Sequence, residues 1–167
     1  MFEHLLVALD GSPAAERVLD HAEALADAFH STITLLRATI SAEMFVAETA
    51  GGETVVGDVG ATLDPTPVLD ADRAAAVDYL NALAERFRRR NLKVNLEHPQ
   101  GAANEVIVER ATALGVSLIL MTTHGRSGLG RMVFGSVADS VLRHAPCPVL
   151  LVRITDADGT ETTTTTP

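Results

Sequence analysis

The stretch 121–136, MTTHGRSGLGRMVFGS, concentrates residues able to hold an anion. Gly125, Gly128 and Gly130 permit positive φ and close backbone approach, so successive N–H groups can turn toward phosphate oxygens. Gly135-Ser136 then opens a helix whose first amides and dipole favour negative charge, and the Ser136 hydroxyl can both cap that helix and donate to a phosphate. Arg126 and Arg131 are loop cations that either pair a triphosphate or stand solvated. Gly130 and Gly135 have P-loop spacing, yet Ser136-Val137 replaces the Lys-Ser/Thr pair, so a P-loop NTPase is not expected. Gly128-Leu129-Gly130 begins a dinucleotide fingerprint, but Val133 stands at its third glycine. A second candidate loop is Asp10-Gly11-Ser12, where Asp10 is either a turn-forming cap or a ligand contact.

These loops need elements to place them. His4 to Leu9 reads as a strand ending at Asp10-Gly11-Ser12-Pro13, with Ser12 as N-cap of a helix whose apolar stripe is Val18, Ala22, Leu25 and Phe29. Thr32 to Thr39 reads as a second strand, and 40–69 as a long variable loop without sustained period. Helix periodicity resumes from Asp70 to Arg90, whose terminal arginines suit a solvated helix end. Leu92 to Glu97 alternates as a strand, a helix follows the turn His98-Pro99-Gln100-Gly101, and Val116 to Met121 is an unbroken apolar run. A helix from Ser136 to about His144 and a strand from Cys147 to Val152 complete one domain, 1–154. The threonine-rich tail, 155–167, lacks apolar residues to bury and is expected to be disordered. Five strands alternating with four helices predict an α/β doubly wound parallel sheet with helices on both faces.

Composition narrows the function. A formal charge of −9 argues against a broad surface for nucleic acid or anionic lipid, so neither is expected as a partner. No apolar run is long enough for a membrane span, and the acidic start MFEHLLVALDGS is unlike a signal peptide, which predicts a cytoplasmic protein. The single cysteine, Cys147, sits between prolines and reads as a small core residue rather than a nucleophile. Those prolines mark the last strand as an edge, which pairing with a second subunit would protect. Catalysis would need an acid, base or nucleophile at the loop, and only His124 and Asp10 are offered; no metal cluster is visible.

The segment THGRSGLGRMVFGSVADSVLRHAPCPVLLV resembles the C-terminal signature of the universal stress protein family, and VALDGSPAAERVLDHAEALA resembles its first strand, turn and helix. The resemblance covers about residues 2–153. It implies a Rossmann-like fold, a homodimer, and an ATP-binding stress-response regulator, with AMP or ADP as other ligands and magnesium as a companion. Nucleotide-binding members carry glycine, two residues, glycine, nine residues, then Gly-Ser or Gly-Thr. Gly125 and Gly135-Ser136 match, whereas Thr122 stands at the first glycine and brings a β-branched side chain toward the pocket. Carried over, Asp10 would lie near the ribose or a phosphate-bound metal, Ala8 and Ala38 would border the adenine, and Met121 and Val137 would line the cleft. Three functions remain: foremost a nucleotide-binding regulator with slow or no hydrolysis, acting through an unknown protein partner; next a nucleotide-independent dimeric adaptor on the same fold; and last a small hydrolase or nucleotidyl-transferring enzyme resting on His124 and Asp10.

Overall fold

The computed structural model describes residues 1–50, 64–124 and 135–154, with only the backbone for 48–50 and 124. The strands are β1 (His4–Leu9), β2 (Thr32–Arg37), β3 (Val94–Glu97), β4 (Leu118–His124) and β5 (Val149–Ile154). They form one sheet in the order β3-β2-β1-β4-β5, every pair parallel. The helices are α1 (Leu19–Phe29), α2 (Ala42–Ala50), α3 (Thr66–Arg88), α4 (Ala103–Ala113) and α5 (Ser136–His144). None of the described helices is long and apolar enough to cross a membrane.

Because β1 is central, both its faces are buried, which is why HLLVAL is continuously apolar rather than alternating. Leu5, Val7 and Leu9 face α1 and α3 with Val18, Ala22, Leu80 and Phe87. Leu6 and Ala8 face α4 and α5 with Ile107, Ala111, Ala138 and Val141. Helices α1 and α3 thus cover one face, and α4 and α5 cover the other.

Several boundaries differ from the sequence reading. Part of the predicted 40–69 loop is helix α2, and α3 starts at Thr66, where the Asp64 carboxylate accepts the Thr66 N–H at 3.0 Å and Pro65 and Pro67 need no donor partner. Residues 51–63 of that loop, and the 155–167 tail, lie outside the described residues. The first helix is preceded by a 3₁₀ turn at Ala15–Val18, whose Ala15 N–H the Ser12 hydroxyl oxygen caps at 3.1 Å. Phe29 ends the predicted stripe at the surface, edge-on to Phe2 with centroids 5.2 Å apart. The last strand starts at Val149 rather than Cys147; Pro148 has no N–H for the ladder, and its carbonyl accepts the Ile119 N–H at 3.1 Å. It pairs only with β4, as an edge strand does.

The arginines at the end of α3 are not simply solvated. Arg86 donates to Glu23 of α1 at 2.6 and 2.8 Å and also to Asp20. Arg90 donates to Glu23 at 3.3 Å and to Asp27. Glu23 is only 8% exposed, so this network fastens α1 to α3 at its most buried charge. The Arg86 hydrogen bonds hold the Glu23 carboxyl below its ordinary 4.5, against the opposing push of burial, and hold Asp20 below 3.8. A depressed carboxylate contributes stability that is present above its unfolded pKa and lost as pH falls through the folded value. The thermal midpoint should therefore fall as pH drops below about 4.5, and Glu23→Gln should flatten that fall while lowering the midpoint near neutrality. Identical slopes for the two proteins in calorimetric scans would contradict the assignment.

Candidate functional site

In a doubly wound sheet the crevice lies where successive crossovers leave in opposite directions. Here that point is between β1 and β4. Their ladder holds Leu5↔Leu118, Leu6↔Ile119 and Val7↔Leu120, then stops. By contrast β1 stays paired with β2 to Leu9↔Arg37, and β4 with β5 to His124↔Ile154. The two central strands therefore part for their last residues, turning backbone polar groups of Ala8–Asp10 and Met121–Thr123 toward the gap instead of toward each other.

The gap is a cleft of about 230 Å³. Its walls are Ala8, Leu9 and Asp10 from β1 and its turn, Met121, Thr122 and Thr123 from β4, and Gly135 to Ala138 at the start of α5. Ala15, Ala103 and Ile107 close it from the 3₁₀ turn and α4. An apolar floor under a polar rim is the usual composition of a small-molecule site.

Local sequence explains each wall. Asp10 is exposed and its carboxylate accepts the Ser12 N–H at 2.8 Å, which forms the turn after β1 while leaving the residue at the cleft edge. The turn-forming reading of Asp10 is thus observed, with the residue lining the cleft. Gly135 is the N-cap of α5, and neither α5 nor α4 receives a side-chain hydrogen bond at its cap. Ser136 is the first helical residue, so it is not the cap expected of it, and among the described residues no side-chain acceptor caps the first amides of α5. Those amides form an anion-favouring end beside the cleft. At φ −58 the Gly135 backbone does not demand glycine, and among the described residues a Cβ there would meet nothing within 4 Å.

Seven of the ten residues expected from sequence come together: Ala8, Asp10, Met121, Thr122, Gly135, Ser136 and Val137 all line the cleft. Ala38 does not line it; this residue follows the last β1–β2 pair, half-buried beside Thr39, whose N–H donates to the Pro99 carbonyl at 2.8 Å. Gly125 and Arg126, with Arg131, lie outside the described residues. Sequence reasoning missed Ala15 and Ala103. Each follows a turn and an alanine, in Pro13-Ala14-Ala15 and Gly101-Ala102-Ala103, and small residues at the start of two helices were the available sign of space. Ile107, one helical turn beyond Ala103, is a core residue that also reaches the cleft. Alternation along β4 puts Thr122 on the Leu118–Leu120 face and Thr123 on the Ile119–Met121 face, so the end of the strand contributes from both sides.

Groups suited to covalent or metal chemistry are sparse. The Cys147 thiol packs against the α4/α5 core and is pushed up by burial, away from an activated thiolate. Among the described residues no group of three or more His, Cys, Asp or Glu is placed to hold a metal ion.

The universal stress protein family model matches residues 1–153. The chain is 29% identical over 160 residues to the universal stress protein YxiE of Bacillus subtilis, covering 92% of this chain and 100% of that protein. Its fold is similar to a universal stress protein solved in complex with cAMP, with a TM-score of 0.64 at 19% identity, over 92% of this chain and 98% of that one. It is also similar to an Arabidopsis thaliana universal stress protein family protein solved with AMP bound, with a TM-score of 0.60 at 14% identity, over 96% and 97% of the two chains. The parallel sheet, the crevice at its switch point and a family match over nearly the full length agree: the chain belongs to the universal stress protein family.

Proposed function

We propose that the protein binds an adenine nucleotide in the cleft between the parted ends of β1 and β4, and acts as a dimeric stress-response regulator with slow or no hydrolysis. The observation that carries this reading is the early end of the β1–β4 ladder at Val7↔Leu120, opening directly onto the uncapped start of α5. A cleft of about 230 Å³ lies just below the roughly 300–1,000 Å³ of typical small-molecule sites, which suits a base and ribose held inside with phosphates toward the helix amides. The AMP and cAMP of the two solved relatives support an adenine ligand. ATP, ADP and AMP all fit this reading. Asp10 is the described carboxylate at the cleft, so magnesium would arrive with the phosphates rather than in a protein cage.

Dimerisation is proposed through β5. Leu150, Leu151 and Val152 are only half-buried along an edge strand, beside a groove that Arg17, Asp20 and His21 of the first helical segment also line. An apolar edge of this kind invites strand pairing, which a second copy would satisfy. The adaptor alternative keeps the dimer and rests on Thr122, a β-branched side chain at the cleft wall where the family's nucleotide binders have glycine.

Calorimetric titration with ATP and AMP, each with and without magnesium, should show saturable binding; its failure would leave the adaptor. In Gly135→Val the backbone tolerates the new side chain, so stability should fall by no more than about 1 kcal/mol, the N-cap preference. Affinity should drop at least tenfold, and wild-type affinity in that variant would contradict the cradle. Light scattering at micromolar concentration should give a dimer mass at low and high salt. A monomer under both conditions would contradict pairing through β5.

A further inference from the structure

Arg37 ends β2 on the α1/α3 side of the sheet, directly behind the turn that carries Asp10. Gly11 in that turn has φ +86, and a Cβ placed on it would lie 3.5 Å from Arg37 Cζ, 3.6 Å from Nε and 3.7 Å from Nη1. Three near-equal distances mean that the guanidinium turns its flat face toward Gly11, one Cβ's ordinary contact distance away. The same group is held from its other sides. Nη2 donates to Asp72 Oδ1 at 3.3 Å, and Cζ lies 5.8 Å from the centroid of the Tyr79 ring. The other oxygen of Asp72 accepts the Ile40 N–H at 2.8 Å. One carboxylate on α3 therefore fastens both the arginine and the chain that leads into α2.

The hydroxyl of Tyr79 is buried without a hydrogen-bond partner of normal geometry. Burial, then the Glu16 and Asp10 carboxylates, push its ionisation upward, and Arg37 opposes them. Asp72 thus pairs the guanidinium, while Asp10 and Glu16 act on the Tyr79 hydroxyl next to it, beside a cleft whose helix end favours anions. Removing that cation would leave like charges facing an incoming phosphate. Lysine could restore the charge but not the planar surface under Gly11.

We propose that Arg37 is a positioning residue of the cleft: it braces the Asp10–Gly11 turn from behind, is fixed by Asp72, and links the turn to Tyr79, so that a ligand engaging the turn alters the surroundings of that ring. The ligand part rests on the adenine-nucleotide reading; the bracing part does not.

Tyr79 is the only tyrosine and there is no tryptophan, so near-ultraviolet emission reports on this ring alone. In the ligand-free protein, amide exchange measured by NMR should be at least tenfold faster in Arg37→Gln at Ser12 and Ile40, with β1 unchanged. Asp72→Asn serves for the same comparison should Arg37→Gln fold poorly. Wild-type rates at Ser12 in a folded variant would overturn the brace. On titration with AMP, wild-type Tyr79 emission should change with the midpoint found by calorimetry, and Arg37→Gln should bind at least fivefold more weakly. A binding isotherm without any emission change would overturn the link to Tyr79. Arg37→Lys should recover only part of the affinity; full recovery would reduce Arg37 to a counter-charge and overturn its positioning role. If wild-type protein bound no adenine nucleotide, the cleft reading would fail, and the exchange rates of the ligand-free protein would still decide the brace.

Discussion

Parallel strands cannot be joined by tight turns, so each connection must leave the sheet, cross a face and return. The molecule uses this constraint twice in each direction: β1 to β2 to β3 runs one way, and β3 to β4 to β5 runs back the other. Where the directions diverge, the helices that follow β1 and β4 lie on opposite faces, and the two strands part beyond Val7 and Leu120. Everything at the cleft depends on that parting. Apolar side chains of the core become its floor, strand-end backbone becomes its polar edge, and α5 begins close enough for its amides to face it.

A crevice between strand ends is useful only if the surrounding elements hold still. On one face, α1 and α3 are joined by the Arg86–Glu23–Arg90 network as well as by Phe87 and Leu80 packing. On the other, Asn104 of α4 and Ser140 of α5 share a hydrogen bond of 3.2 Å, tying the two helices that wall the cleft. Thr39 adds a third tie at the carboxyl edge: its N–H and hydroxyl donate to the Pro99 carbonyl, and its own carbonyl accepts the Gly101 N–H. The Thr39 and Asn104–Ser140 ties lie at the open end of the sheet, and the Arg86–Glu23–Arg90 network at its other end.

Much of this was legible in sequence because the signals were local. Strand and helix alternation, the β1 turn at Asp10-Gly11-Ser12 and the Gly135-Ser136 helix start each depend on a few adjacent residues, and all stand where expected. The errors came from tertiary context. Helix α2 has weak amphipathicity, and its N-cap Ser41, whose hydroxyl accepts the Met44 N–H at 3.3 Å, was not read as a helix start, while α3 gained a turn from Asp64 and its prolines. Ala38, carried over from the family resemblance, is not among the residues lining the cleft, and Thr39 next to it is pinned to the β3–α4 turn. Neither the buried pairing of Glu23 nor the position of Arg37 behind Gly11 has a sequence signature, since both partners come from distant segments.

The account stands on one claim, that the parted ends of β1 and β4 are the ligand site. Mapping backbone amide shifts by NMR during titration with AMP tests it most directly. The expected perturbations cluster at Ala8–Ser12, Met121–Thr123 and Gly135–Ala138, and saturate together. Shifts confined to the β5 edge and the Arg17–His21 segment, or no shifts at saturating AMP, would contradict it.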